Sequence, residues 1–129
     1  MELLEKANFR IKIGGEDLAI GIAQDHINKE VLMVAFVNRE ALAKTIETGK
    51  VHYYSTSRKK IWLKGEESGH QQLGKEIFLD CDGDAILFQV EQVKAACHEG
   101  YRSCFYRRAV GDGLQVVGER VFDPREVYK

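Results

Sequence analysis

No run of this sequence is apolar for the roughly 20 residues that a membrane-spanning helix needs. The opening Met-Glu-Leu-Leu-Glu-Lys places acidic side chains where a secretory signal has an apolar segment, so a cytoplasmic protein is expected. Charge of neither sign prevails: 19 basic residues stand against 20 acidic ones, for a formal net charge of −1. That balance excludes a chain-wide footprint for nucleic acid or an anionic membrane and leaves only a local basic patch. With one proline, no internal repeat and no linker-like stretch, the 129 residues are expected to form one domain over 1–129. Cysteine is scarce too. Three cannot all pair within one chain, and the absence of C-x-x-C removes the usual structural zinc pattern.

What is present is an ordinary globular composition, 44% apolar and 30% charged. Residues 1–16 are mixed and end in a Gly14-Gly15 turn. Residues 17–24 and 31–37 are apolar and strand-like, joined through a polar stretch as a hairpin. Asn38 is a helix N-cap, Glu40 suits the positive end of the dipole, and Gly49 is the stop of a helix of about three turns. Strands are predicted at 51–55, 77–80, 86–91, 105–110 and 114–117, with Asp82-Gly83 as a tight turn. Residues 56–74 read as a long loop, and 95–102 as short and polar. Asp123-Pro124-Arg125-Glu126 carries an N-cap, Pro at N1 and Glu at N3, which predicts a last helical turn. The sum is an α+β domain, strand-rich, with a mixed or antiparallel sheet and one main helix.

Chemistry concentrates between Asp80 and Cys104, which hold all three cysteines and the alternating carboxylates Asp80, Asp82 and Asp84. Thiolates favour zinc and carboxylates favour magnesium or calcium, so the segment is read as a two-metal site. Fifteen residues separate Cys81 from Cys97, and six separate Cys97 from Cys104. Three sulfur ligands without an evident fourth match a catalytic zinc with an open position. His98 is either that fourth ligand or an acid/base group, and the second is favoured because adjacent residues seldom reach one ion. The D-x-D-G-D run resembles a calcium loop, but Ala85 stands where its turn needs glycine and a strand follows, so that reading is rejected. Three carboxylates this close repel unless a cation joins them, and magnesium suits a site that also carries phosphates.

The predicted loop joins hydroxyls and cations around one aromatic ring, with Ser55, Ser57, Arg58, Trp62, Lys64 and Ser68 as substrate-binding candidates. Arg58 is suited to a phosphate and Trp62 to stacking on a purine. An anionic nucleotide is the expected substrate class.

Five blocks in register, V-L-M-V-A-F-V-N-R-E-A-L (31–42), T-G-K-V-H-Y-Y-S-T-S-R (48–58), W-L-K-G-E-E-S-G-H-Q-Q (62–72), D-C-D-G-D-A (80–85) and A-C-H-E-G-Y-R-S-C-F (96–105), resemble phosphoribosyl-AMP cyclohydrolase of histidine biosynthesis. The resemblance implies hydrolysis of the N1–C6 bond in the adenine ring of 1-(5-phosphoribosyl)-AMP. It implies zinc on Cys81, Cys97 and Cys104, shared across an intertwined homodimer with the first cysteine from one subunit and the others from its partner. It further implies magnesium on Asp80, Asp82 and Asp84, and a catalytic role for His98.

The sequence departs from the family pattern at Thr56, where arginine is common, at Lys94-Ala95, commonly Gly-Pro, and at Glu99, commonly threonine. The family also occurs fused to a phosphoribosyl-ATP pyrophosphohydrolase domain, for which these residues leave no room, so a stand-alone form is expected. Two other classes compete. A zinc nucleobase deaminase needs an H-x-E and P-C-x-x-C signature that is absent. A non-catalytic zinc-stabilised module for nucleotide or RNA needs a closed four-coordinate site.

Overall fold

The computed structural model describes residues 1–128. Lys129, last residue of the expected domain, lies outside the described residues. In chain order the elements are α1 (Glu2–Lys6), β1 (Ile11–Ile13), β2 (Glu16–Asp25), β3 (Val31–Val37), α2 (Arg39–Thr48), β4 (His52–Ser55), β5 (Lys60–Leu63), β6 (Gln72–Leu79), β7 (Ala85–Gln92), β8 (Arg107–Val110), β9 (Gly113–Val116) and α3 (Pro124–Val127). The main sheet follows the order β5-β4-β3-β2-β7-β6, with β1 beside β2, and β8-β9 form a separate hairpin. Only β2 and β7 run parallel; the other pairs in the sheet are antiparallel. The domain is therefore a small, strand-rich, mixed α+β fold with one main helix.

The centre is the predicted hairpin. Ala19 pairs with Val37 and Gln24 with Val31 around the polar turn, and α2 follows at once. Asn38 Oδ1 accepts the Ala41 amide at 2.8 Å, and Gly49 closes the helix at φ 73°. That positive φ suits glycine because no Cβ meets the backbone there. Leu18, Leu32, Val37, Leu42, Val51, Tyr53, Ile86, Phe88 and Val90 are fully buried around this unit. Each large apolar side chain contributes about 1.5–3 kcal/mol of transfer free energy. Gly21 lets the layers close, since a Cβ there would sit 2.6 Å from Val37 Cγ2.

A buried polar relay fastens the core to the segments above it. Tyr53 donates its hydroxyl hydrogen to Gln72 Oε1 at 2.6 Å, and Gln72 Nε2 donates to Gln92 Oε1 at 2.9 Å. Gln92 Nε2 then donates to the carbonyls of His70 and Val93. Buried amides left unpaired would cost about 1–3 kcal/mol each, so this chain fixes where residues 70–72 and 92–93 lie.

Three expectations need correction. Residues 56–74 are not one loop: Lys60–Leu63 forms β5, with Trp62 opposite Tyr53, and Gln72 opens β6. The ring packs on Tyr53 at 5.3 Å between centroids, which draws the segment onto the sheet. Residues 95–102 are short but not polar throughout, because Ala95, Ala96 and Cys97 are buried. The N-terminal segment is ordered as α1 and β1, and β1 turns back on β2 through Gly14-Gly15.

Among the described residues no layer covers the opposite face of the sheet. Ile20 pairs with Phe36 and Ala85, Ile22 with Val34 and Leu87, and Leu87 with Phe78, so these side chains share one face. None of them is buried. The β8-β9 hairpin adds Val110, Leu114 and Val116, all at least half exposed. Among the described residues no helix is long and apolar enough to cross a membrane.

Candidate active site

The segment after β7 returns across the end of the β2-β3 hairpin. The Cys104 amide donates to the Leu32 carbonyl at 2.7 Å, and Ser103 Oγ donates to the Val31 carbonyl at 2.7 Å. A tight loop precedes this contact: Cys97 N donates to Tyr101 O at 3.2 Å and Gly100 N to Cys97 O at 3.1 Å. Gly100 is required, with φ 98° and a would-be Cβ only 2.4 Å from the Phe122 carbonyl. The loop brings Cys97 and Cys104 together. Cys97 is buried, and its Sγ accepts the Glu99 amide at 3.4 Å. Cys104 opens onto the cleft, yet enough protein surrounds its sulfur that burial, reinforced by Cys97, pushes its thiol up to about 11.

A cleft of about 300 Å³ opens beside Cys104. Its walls include Arg58, Trp62, Lys64, Ser68, His98 and Cys104. Sequence reasoning singled out these six residues on three separate blocks, and the fold gathers them. Trp62 and Lys64 arrive on and just after β5. Arg58 stands in the β4-β5 turn, where Ser55 Oγ accepts the Arg58 amide at 3.2 Å and meets Ser57 Oγ at 3.3 Å. Ser55 and Ser57 thus shape the turn and do not line the cleft. Ser68 Oγ accepts the His70 amide at 3.1 Å. His98 stays open, 76% exposed at its side chain, with Nε2 3.3 Å from Glu99 Oε1.

Lys64 differs from a surface cation. It is 8% exposed, and its Nζ donates to the Ala96 carbonyl at 2.5 Å and lies 5.8 Å from the Trp62 ring centre. Burial lowers its pKa, while Cys104 and Cys97 oppose that shift by favouring a positive charge beside them. Lys64 thus lies within electrostatic reach of both sulfurs.

Cys81 lies elsewhere. The Asp80 amide donates to the Ala85 carbonyl, and Ala85 pairs with Ile20, whereas Cys104 docks on Leu32 beside the Ala23–Gln24 end of β2. That is a separation of roughly 10 Å along the strands and roughly 10 Å across them. Around Cys81 the ligand oxygens of Asp80, Asp82 and Asp84 lie within 4.8 Å of one another, the only three-ligand group of this kind among the described residues. The donor set fits a hard divalent cation. Arg10 already acts as a positive partner there, its Nη2 2.6 Å from Asp84 Oδ2 and 3.8 Å from Asp82 Oδ2. A hydrogen bond with Asp84 raises the Asp82 carboxyl from its ordinary value, and that bond, followed by the one from Arg10, lowers Asp84. The paired thiols fit a soft cation for the matching reason, since Cys97 disfavours ionisation of Cys104 until a positive charge joins them.

A family model for phosphoribosyl-AMP cyclohydrolase matches residues 33–106. The chain belongs to the phosphoribosyl-AMP cyclohydrolase family. The phosphoribosyl-AMP cyclohydrolase of Methanothermobacter thermautotrophicus is 61% identical over 123 residues, covering 94% of this chain and 89% of that protein. That of Methanosphaera stadtmanae is 58% identical over 127 residues, 96% of this chain and 98% of its own length. That of Methanosarcina mazei is 61% identical over 111 residues, covering 86% and 90%. All three cysteines of this cyclohydrolase-family chain, with Asp80, Asp82 and Asp84, lie inside the matched 33–106 segment.

Some neighbours of these groups lie outside it. Tyr128 lines the cleft beside Glu66 and Glu67, and Arg10 reaches the aspartates. The cap at Asp123 announces the turn before Tyr128, but nothing in the sequence ties that ring to the cleft. Arg10 carries no local signal at all, because its approach depends on how residues 6–10 lie against Gly83. A Cβ on Gly83 would be 2.6 Å from the Lys6 carbonyl, so that packing needs glycine.

The aspartate cluster yields a two-sided expectation. A folded-state pKa raised above the unfolded value means that the Asp82 charge opposes folding at neutral pH, and that this opposition fades as pH falls. Asp82→Asn removes the charge. In a chelator it should melt no lower than the parent, while its affinity for manganese falls tenfold or more. Melting curves with and without the metal check this, and a lower midpoint in chelator contradicts it.

Proposed function

We propose that this chain hydrolyses the N1–C6 bond in the adenine ring of 1-(5-phosphoribosyl)-AMP, a step of histidine biosynthesis, at a site shared by two copies. Cys97 and Cys104 of one copy and Cys81 of the other hold zinc, and Asp80, Asp82 and Asp84 hold magnesium. Support comes from one observation above all: residues from β5, the β4-β5 turn and the Cys97–Cys104 loop converge on a single cleft. Zinc bound there supplies an activated water at neutral pH.

The side chains account for the rest of the chemistry. Arg58 binds a substrate phosphate through its planar fork. Trp62, held against Tyr53, offers its free face to the purine. Water adds its oxygen to C6, the C6–N1 bond breaks, and the departing N1 takes a proton. His98 is placed to move that proton, being exposed on the cleft wall with Glu99 3.3 Å from its Nε2. Lys64 keeps positive charge beside the thiolates, where water is excluded and electrostatic effects are strong.

The position of Cys81, which the fold keeps away from the other two sulfurs, supports a second copy. The uncovered apolar sheet face and the exposed β8-β9 hairpin give that copy surface to bury. Such contiguous apolar surface marks an interaction site.

The test is ultraviolet absorbance of phosphoribosyl-AMP incubated with zinc-loaded protein, with and without magnesium. A spectral change that needs the protein and disappears with a zinc chelator is expected. No change from folded, zinc-loaded dimer overturns the assignment. A change that persists without zinc overturns the role of the thiolates.

A further inference from the structure

Asp25 is the last residue of β2, a carboxylate only 7% exposed at the end of an apolar strand. Its Oδ1 accepts the amides of Ile27 at 2.8 Å and Asn28 at 3.0 Å, which shapes the β2-β3 turn. Its Oδ2 accepts a hydrogen bond from Arg102 Nη2, while Arg102 Nη1 donates to Glu30 Oε1 at 2.6 Å. One guanidinium thus bridges both ends of the turn. Burial alone would raise the Asp25 carboxyl, but the two amides and Arg102 outweigh it and lower the pKa.

Arg102 stands between Cys97 and Cys104 in the chain. Its carbonyl accepts the Ala96 amide at 2.8 Å, which closes the loop just before Cys97. The next two residues attach to β3, through Ser103 Oγ to Val31 O and Cys104 N to Leu32 O. Both paths to the sulfurs therefore begin at Arg102. Its backbone sets Cys97, its successors set Cys104, and its side chain locks the whole to a buried carboxylate on the central strand. A surface ion pair would be worth little, but Asp25 is buried and accepts three hydrogen bonds.

We infer that the Asp25–Arg102 pair is the positioning device of the thiolate centre, fixing the distance and direction between Cys97 and Cys104 so that the two sulfurs meet a metal ion pre-arranged. This rests on the zinc reading above. Groups that orient metal ligands from behind typically change metal affinity 10–100-fold when lost.

The experiment uses purified full-length protein and cobalt(II) as the probe, because thiolate-to-cobalt charge-transfer and d–d bands report ligand geometry directly. Asp25→Asn and Arg102→Lys are compared with the parent and with Glu30→Gln, each with its melting curve. Should Arg102→Lys fail to fold, Asp25→Asn alone carries the comparison. The expected result is a tenfold or greater loss of cobalt affinity with altered d–d intensity in Asp25→Asn and Arg102→Lys, and parent-like bands in Glu30→Gln. Parent affinity and spectrum in a folded Asp25→Asn overturn the inference while leaving the zinc reading intact. A parent protein that binds no cobalt overturns both.

Discussion

Serine in place of Cys81, Cys97 or Cys104 is expected to lower turnover of phosphoribosyl-AMP about a thousandfold or more, in each variant alone. The argument runs from the sulfur outward. A hydroxyl of nearly the same size binds zinc weakly at neutral pH, so the activated water is lost, and several kcal/mol of barrier reduction go with it. At about 1.4 kcal/mol per decade this reaches three decades. The three variants are expected to differ in stability. Cys97 is buried and its sulfur accepts the Glu99 amide, so Cys97→Ser disturbs a packed loop. Cys81 is exposed at a turn, so Cys81→Ser should melt like the parent when no metal is present. Turnover assays paired with zinc content per chain check the expectation. Parent activity in any of the three would remove that sulfur from the reaction.

Lys64→Met should lose activity by about a hundredfold or more while keeping most of its stability. Burial disfavours the charge of Lys64, as its lowered pKa indicates, and its Nζ lies 5.8 Å from the Trp62 ring centre. Methionine retains the stem and removes the ammonium. The Ala96 carbonyl loses its donor, a penalty of about 1–3 kcal/mol that relief of the buried charge offsets in part. What disappears entirely is positive charge next to Cys97 and Cys104 and at the wall of the cleft, where one fixed electrostatic contact is worth about two to three decades in rate. Lys64→Arg should not restore it, since a wider planar group does not fit the space of an ammonium. Steady-state kinetics beside a melting curve separate the two effects. Full activity in Lys64→Met would reduce the residue to packing.

How much of this was legible in the sequence depends on how local each feature is. The β2-β3 hairpin, the Asn38 and Gly49 boundaries of α2, the β6-β7 turn and the cap at Asp123 all rest on short-range chemistry, and the chain order states them directly. The strand at Lys60–Leu63 escaped because its flanks are rich in charge and glycine, and its partner Tyr53 had to be placed before Trp62 had anything to pack on. The same division holds in the site. Cys97 and Cys104 are seven positions apart and their pairing is a local loop. By contrast, the meeting of Arg58, Lys64 and His98 in one cleft depends on the chain crossing from β5 at one edge of the sheet to β6 at the other and returning after β7. Arg10 against the aspartates and Arg102 against Asp25 join residues 74 and 77 positions apart, so no pattern of spacing reveals them. Lys64 is instructive in another way. Its place in a predicted loop carried no sign of burial, but the fold leaves it only 8% exposed with its Nζ on the Ala96 carbonyl.

The measurement that tests the account most directly mixes two inactive proteins. In a shared site, Cys81 of one copy serves Cys97 and Cys104 of the other. A mixed dimer of Cys81→Ser and Cys97→Ser then holds one fully defective site and one intact site. Random exchange makes half of the dimers mixed, so about one quarter of parent activity should return. That recovery, appearing at the rate of subunit exchange followed by native mass spectrometry, is the predicted result. Complete exchange with no return of turnover would contradict a centre assembled from two chains.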